Sequence, residues 1–385
     1  MVNAKKLKFV FQIARHGHRS PLNPDYSKFY TVGPQELTPS GMRQQYLLGT
    51  HLRKKYVEND DPEMEGFLSS SYNSSEWYVG STHLRRTVES ARYFMLGFYP
   101  PRSMTNKKDI ETLPFKYSTV PVYNNKAQHD TIHTTGNCLY LGLQYGIIHQ
   151  TPQLWKKYDD YFKPRIYQKL KQVLNVTDDK ELNYFDAFKL GDAVESLVFQ
   201  GVIDQNEFTD KEWTYIKRLQ IPWIMSSFTP LGTKLFISKI LNPIVELIDF
   251  KIFGYWKSKT KLPPFTGEEK FVHYSGHDTT MANILLFLHP EDFVIDTLPY
   301  ASAIEFELYE LEAHEVKHPE VELNLSHEYD NYQVKVLYNN EALKLTHCEH
   351  TYCSLSEFMS HFKEHGLSPH EVKTLCKEEF ELAQF

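Results

Sequence analysis

The 385-residue chain is short of cysteine, of basic charge and of long apolar runs. No stretch reaches the roughly 18 uninterrupted apolar residues of a membrane span. The longest apolar segment, residues 235–253, is interrupted by Lys239, Pro243, Glu246 and Asp249, and predicts a pair of amphipathic helices. The formal net charge is −7, so the basic excess of a nucleic-acid binder is missing. None of the four cysteines (Cys138, Cys348, Cys353, Cys376) forms a CxxC, which argues against a zinc ribbon. Internal repeats and low-complexity tracts are also lacking. What remains is 41% hydrophobic and 14% aromatic, the composition of a globular chain with a sizeable core. The even cysteine count and the sequons at Asn73, Asn175 and Asn324 point to an oxidising compartment. A strand-like run begins almost at once, so a secretory leader is expected to have been removed.

Against this sparse background, Arg15, His16, His18 and Arg19 crowd into five positions around Gly17. They follow the apolar run Leu7–Ile13, which reads as a strand. Buried positive charge is costly without an opposite charge, and no acidic residue is near in sequence. The stretch therefore calls for an anion.

The pattern of strand, polar turn and helix recurs. Thr38 and Pro39 open a helix with Leu48, Leu52 and Tyr56 on one face. Trp77–Val79 reads as a strand running into Ser81-Thr82 and a helix with Val88, Ala91 and Met95 inward. Residues 270–275 form another strand, followed by His277-Asp278 and an apolar helix over 281–288. Strands are predicted over 303–311 and 333–338, and a helix over 354–365. The middle, including 161–174 and 186–199, carries helical spacing and few β-branched runs. This predicts an α/β core over residues 1–130 and 229–385, interrupted by a helical cap over 131–228. The clusters Arg15–Arg19, Ser81–Arg86 and His277-Asp278 each follow a predicted strand, where sites in such sheets gather.

The chemistry of these clusters is coherent. Arginine forks match phosphate oxygens, so Arg15, Arg19 and Arg86 can converge on one tetrahedral anion. His16, flanked by arginines, should stay neutral and nucleophilic. Gly17 allows the backbone to approach the anion closely. Asp278 can protonate a departing alkoxide, or merely orient His277 or cap the next helix. Ser81, Thr82 and Thr279 read as helix caps, Arg85 as solvent-facing, and His18 and His83 as lining a cleft.

Arg15-His16-Gly17-x-Arg19-x-Pro21 resembles the signature of the histidine acid phosphatase family. Later segments resemble the family in order. They are Leu37-Thr38-x-x-Gly41 with Gln45 and Leu48-Gly49, then Ser81-Thr82 with Arg86-Thr87 and Ser90-Ala91, then His277-Asp278. Pro299-Tyr300-Ala301-Ser302 resembles the prostatic and lysosomal-type branch. The resemblance covers nearly the whole chain. It implies a phosphoglycerate-mutase-like three-layer α/β core and acid hydrolysis of small phosphate monoesters. His16 would form a phosphohistidine, Arg15, Arg19, Arg86 and His277 would hold the phosphate, and Asp278 would protonate the leaving oxygen. An ordinary aspartic acid has a pKa of about 3.9, so an acidic optimum is expected. No metal or other cofactor is implied. The resemblance also implies disulfides Cys138–Cys376 and Cys348–Cys353, a secreted or lysosomal glycoprotein, and compatibility with a homodimer. Two departures stand out. His83 and Arg85 occupy positions where the family commonly has Asp, making the neighbourhood more positive.

Four other readings compete. A metal-dependent hydrolase using His16, His18, His277 and Asp278 is disfavoured by the arginines, which repel a cation. A mutase-like transferase does not explain the long insertion. A non-catalytic phosphate or phospholipid binder would not need every catalytic position filled. A phytase-like specificity is disfavoured by Thr279-Thr280 after the His-Asp pair.

Overall fold

A computed structural model describes residues 5–101, 119–126, 130–133, 135–136, 138–177, 181–225, 229–256, 265–312 and 328–377. The sequon at Asn324 lies outside them. Strand β1 (Lys5–Arg15) is central, and Phe9–Ala14 are all buried. A bulge between Leu7 and Phe9 resets its faces. Helices α1 (Pro39–Tyr56) and α2 (Arg85–Phe98) flank β2 (Trp77–Ser81) in the chain. A helical run follows: α3 (Leu139–Gln150), α4 (Pro152–Phe162), α5 (Gln168–Val173), α6 (Tyr184–Phe199), α7 (Asp210–Leu219) and α8 (Ile221–Met225). Then come α9 (Pro230–Phe253), β3 (Phe271–Gly276), α10 (Asp278–Leu288), β4 (Ala303–Leu311) and β5 (Tyr332–Tyr338). The chain continues with β6 (Glu341–Ala342), β7 (Tyr352–Ser354), α11 (Leu355–His365) and α12 (Pro369–Leu375).

The sheet order is β2-β3-β1-β4-β5-β6, with β7 also on β5. β2, β3 and β1 are parallel, whereas β4 and β5 run antiparallel to their neighbours. One face of β1 buries Phe9, Phe11 and Ile13 against α9, α10 and α11. The other buries Val10 with Leu52, Tyr56, Phe94 and Phe98 of α1 and α2. The result is a three-layer α/β/α core. Trp155, Ile166, Leu170, Tyr184 and Ile216 of the helical run form a separate apolar cluster. α3 bridges the two, with Leu141 in the main core and Ile148 in that cluster.

Several expectations change. The apolar segment at 235–253 is one helix, α9, that runs through Pro243. Burial of Leu235, Phe236, Ile240 and Leu247 against the sheet layer outweighs the missing backbone bond. The predicted helix at 161–174 spans the end of α4, a π-helical turn over Lys163–Tyr167 and α5. Both disulfides are present. Cys138–Cys376 ties the start of α3 to the end of α12 across 238 residues, and Cys348–Cys353 closes a short loop. Among the described residues, no helix is long and apolar enough to cross a membrane.

Candidate active site

Register brings the clusters together. Arg15 ends β1 opposite Gly276 of β3, and Ser275 lies opposite Ser81 of β2. The three turns beyond these strands therefore share one edge of the sheet. His16, Arg19, Arg86, His277 and Asp278 line one cleft of about 230 Å³. Leu22 and Tyr145, Phe188, Trp223 and Ile224 form much of its remaining wall.

The His16 loop is held by its backbone. Gln45 of α1 donates to the Arg15 carbonyl at 2.8 Å, the Gly17 amide donates to Ser90 Oγ at 3.1 Å, and the His18 amide donates to Gln44 at 2.8 Å. Thr38 caps α1 through the Gly41 amide and also bonds His18. A Cβ on Gly17 would collide with Gly41, and one on Gly41 with His18. Gly17 is thus required for contact with α1. His18 is fully buried, between Thr38, Ser196 and the stacked ring of Phe199, and does not line the cleft. Burial lowers its pKa to about 4.

His16 is the best-defined reactive group. A carbonyl oxygen only accepts, so the 2.7 Å contact from Nδ1 to Gly17 O fixes the proton on Nδ1 and leaves the Nε2 lone pair free. Burial, then the charges of Arg86, His277, Arg15 and Arg19, hold its pKa well below the ordinary value. Burial, then Arg86, His133, Arg15 and Arg19, lower that of His277. His277 meets Thr82 Oγ1 at 3.0 Å, and Thr82 meets Thr87 at 2.7 Å. Thr82 is therefore not a helix cap. Leu84 holds the cap position of α2 without a side-chain bond, and Ser81 Oγ donates to the Thr82 carbonyl. Asp278 likewise stands inside the first turn of α10, and His277 holds the cap position without a side-chain capping bond.

The arginines are not equally free. Arg15 donates to Leu298 O, pairs with Asp278 at 2.8 Å and lies over the Tyr300 ring at 4.3 Å. Arg19 makes a buried two-pronged pair with Asp192, at 2.7 and 3.1 Å. Burial works against the Arg19 charge, but Asp192 more than offsets it and raises the pKa. Sequence proximity missed this counter-ion, which sits 173 residues away on α6. Its one signal was an acidic residue among Phe188, Leu190, Val194 and Leu197. Nε of Arg15, Arg19 and Arg86 is buried and unpartnered in each case. Burial and Arg19 lower the Arg86 pKa to about 10, still cationic at neutral pH.

The departures at 83 and 85 are compensated locally. Arg85 is exposed and lies 3.6 Å from Glu36. His83 pairs with Asp130 at 2.9 Å, and Asp130 also accepts the Ile132 and His133 amides. The His133 ring stands between those of His83 and His277, at 5.1 and 5.5 Å, and lines the cleft.

Comparison with known proteins identifies the family. A family model described as "Histidine phosphatase superfamily (branch 2)" matches residues 23–339, starting just beyond the His16 loop. Prostatic acid phosphatase of Bos taurus is 27% identical over 80% of this chain and 75% of its own length. Lysosomal acid phosphatase of Homo sapiens is 26% identical over 92% and 77%. The structure of a phytase from Citrobacter braakii superposes with a TM-score of 0.63 at 18% identity, covering 94% of this chain and 98% of the phytase, a likeness of fold. The family match spans most of the sequence, so this chain belongs to branch 2 of the histidine phosphatase superfamily.

Proposed function

We propose that this chain is an acid phosphatase that hydrolyses phosphate monoesters through a phosphohistidine at His16 Nε2. The observation that carries the mechanism is the fixed tautomer of His16. Its lone pair stands in a cleft lined by Arg19, Arg86 and His277. A substrate phosphate draws Arg15 from Asp278 and takes the free Nε groups of the arginines. Nε2 attacks phosphorus and the bond to the ester oxygen breaks. Asp278, relieved of Arg15, passes a proton to the leaving oxygen as that bond breaks. Water, deprotonated by the Asp278 carboxylate, then attacks the phosphohistidine and releases His16 and phosphate. Fixed charge and positioning supply the acceleration. No step requires a metal.

The aromatic wall of Tyr145, Phe188 and Trp223 favours a flat or apolar alcohol over an inositol polyphosphate. The further phosphates of the latter need cations that the described cleft lining does not add beyond the arginines of the cradle. The segment 131–228 acts as the cap that supplies this wall. The two disulfides and the sequons support a secreted or lysosomal setting. The test is hydrolysis of p-nitrophenyl phosphate at mildly acid pH in excess chelator. The intact chain should be active and His16→Ala inactive. Asp278→Ala should lose most on poor leaving groups, and inositol hexakisphosphate should be the slower substrate. Full activity in His16→Ala would overturn the mechanism. Faster turnover of inositol hexakisphosphate would overturn the substrate assignment alone.

A further inference from the structure

A second cluster of histidines lies away from the phosphate cradle. α10 carries Asp278 at its first position and ends before His289; at 1.5 Å per residue its ends are about 16 Å apart. Beyond its C-terminal end lies an open cleft of about 550 Å³ lined by His289, His347, His361 and His365. His361 and His365 are one turn apart on α11 and share a face, with ring centroids 4.6 Å apart. His347 stacks on His361 at 3.7 Å.

We propose that His347, His361 and His365, with His289 at the rim, bind one divalent transition-metal ion of the zinc class. His361 Nε2 donates to the Phe287 carbonyl at 2.8 Å, so Nδ1 keeps its lone pair and the ring is oriented. That is the supporting bond ligand histidines ordinarily make. His289 Nδ1 meets Thr346 Oγ1 at 3.1 Å, and when it donates there Nε2 keeps its lone pair. Both ring nitrogens of His347 are buried without a partner, an uncompensated loss unless something enters the cleft. An all-imidazole set selects zinc, copper or nickel over calcium or magnesium. The setting favours a cation as well. The acceptor end of the α10 dipole adjoins the site. Glu357 acts on His347 and Glu364 on His361, while the half-buried Lys234 side chain at the wall is the opposing charge. Among the described residues, no three of these imidazoles hold their nitrogens within 4.8 Å of one another. His347 does so only with Cys348 and Cys353, whose sulfurs are joined in a disulfide. Closure on an ion therefore requires rotation of His347 and His365, both only partly buried.

The test is calorimetric titration of chelator-stripped protein with zinc chloride at neutral pH. The intact chain should bind one equivalent and melt at higher temperature in zinc. His361→Ala/His365→Ala should lose about 100-fold or more in zinc affinity, beyond what loss of a supporting residue alone causes, while p-nitrophenyl phosphate hydrolysis is unchanged. His347→Gln, a milder change, should also weaken zinc, so misfolding of the double variant would not leave the site untested. His133→Ala should bind zinc normally. No binding by the intact chain, binding unaffected by the α11 variants, or binding lost in His133→Ala would overturn the proposal.

Discussion

Asp192 is the residue on which the phosphate cradle depends without touching phosphate. It holds both terminal nitrogens of Arg19 and also accepts the Leu22 amide at 2.8 Å. Asp192→Ala leaves a guanidinium buried and unpaired, which costs about 3–5 kcal/mol in comparable pairs. Urea denaturation should show a loss of that size, and KM should rise because Arg19 is no longer aimed. Unchanged stability would mean that Arg19 finds water or another partner. One turn along α6, Glu195 feels Arg15, Arg19, Asp192 and Asp278, and burial raises its pKa to about 7 from 4.5. Its folded-state pKa lies above the unfolded one. Its contribution to stability is therefore complete below pH 4.5 and is lost as pH rises through about 7. Relative to Glu195→Gln, the intact chain should lose ground across that window in urea midpoints measured at several pH values. A constant difference would refute the burial argument. At this scale the sequence was legible where chemistry is contiguous. Arg15, His16 and Arg19 fall within five positions, and His277-Asp278 are neighbours. Asp192 and Glu195 were not legible, because only the fold sets their helix face over the arginines.

Elements are positioned by close approach as much as by apolar faces. Where α1 crosses α2, a Cβ on Gly49 would strike the Phe94 carbonyl, and one on Gly97 the Tyr46 carbonyl. α1 carries Gln44, Gln45 and Gly41, which hold the His16 loop, so a shift of α1 is transmitted to the nucleophile. Gly97→Ala should destabilise by about 1–3 kcal/mol through overpacking and lower kcat, although residue 97 is far from the cleft along α2. Retained kcat alongside lost stability would separate packing from positioning. The helix starts at Thr38-Pro39 and the parallel strands were readable, since caps and apolar runs are local signals. The unbroken α9 was not, because Pro243 is tolerated only through burial that the sequence does not display. The Cys138–Cys376 link works at the same scale, as it closes 238 residues between α3 and α12. Cys138→Ser/Cys376→Ser should cost about 2–5 kcal/mol, read as a lower melting temperature. Because neither cysteine lines the cleft, kcat in the folded variant should change little.

For the whole molecule, titration of buried groups sets two opposing trends. His18, His133, His149 and His347 are lowered by burial to about 4, His273 to about 3, and His16 and His277 well below the ordinary 6.5. A lowered folded-state pKa means stability that is present above 6.5 and lost as pH falls through the folded value. Glu195, Glu246 and Glu305 are raised to about 7, chiefly by burial, and act the other way. Between 4.5 and 6.5 the unfolded chain binds protons on these histidines while the folded chain binds them on the three glutamates. The histidines are more numerous, so the unfolded state takes up more protons and stability falls on acidification. An acid phosphatase thus works where its own fold is weaker, and its covalent cross-links partly offset the loss. Urea midpoints should decrease steadily from neutral pH toward about 4, where His18, His133, His149 and His347 charge while His273 is still neutral. Inorganic phosphate, binding only the folded cradle, should restore part of the loss. His16→Ala keeps the arginines and should retain most of that rescue, whereas Arg86→Ala should abolish it. A midpoint that rises on acidification would show that the buried glutamates, and not the histidines, govern the acid response.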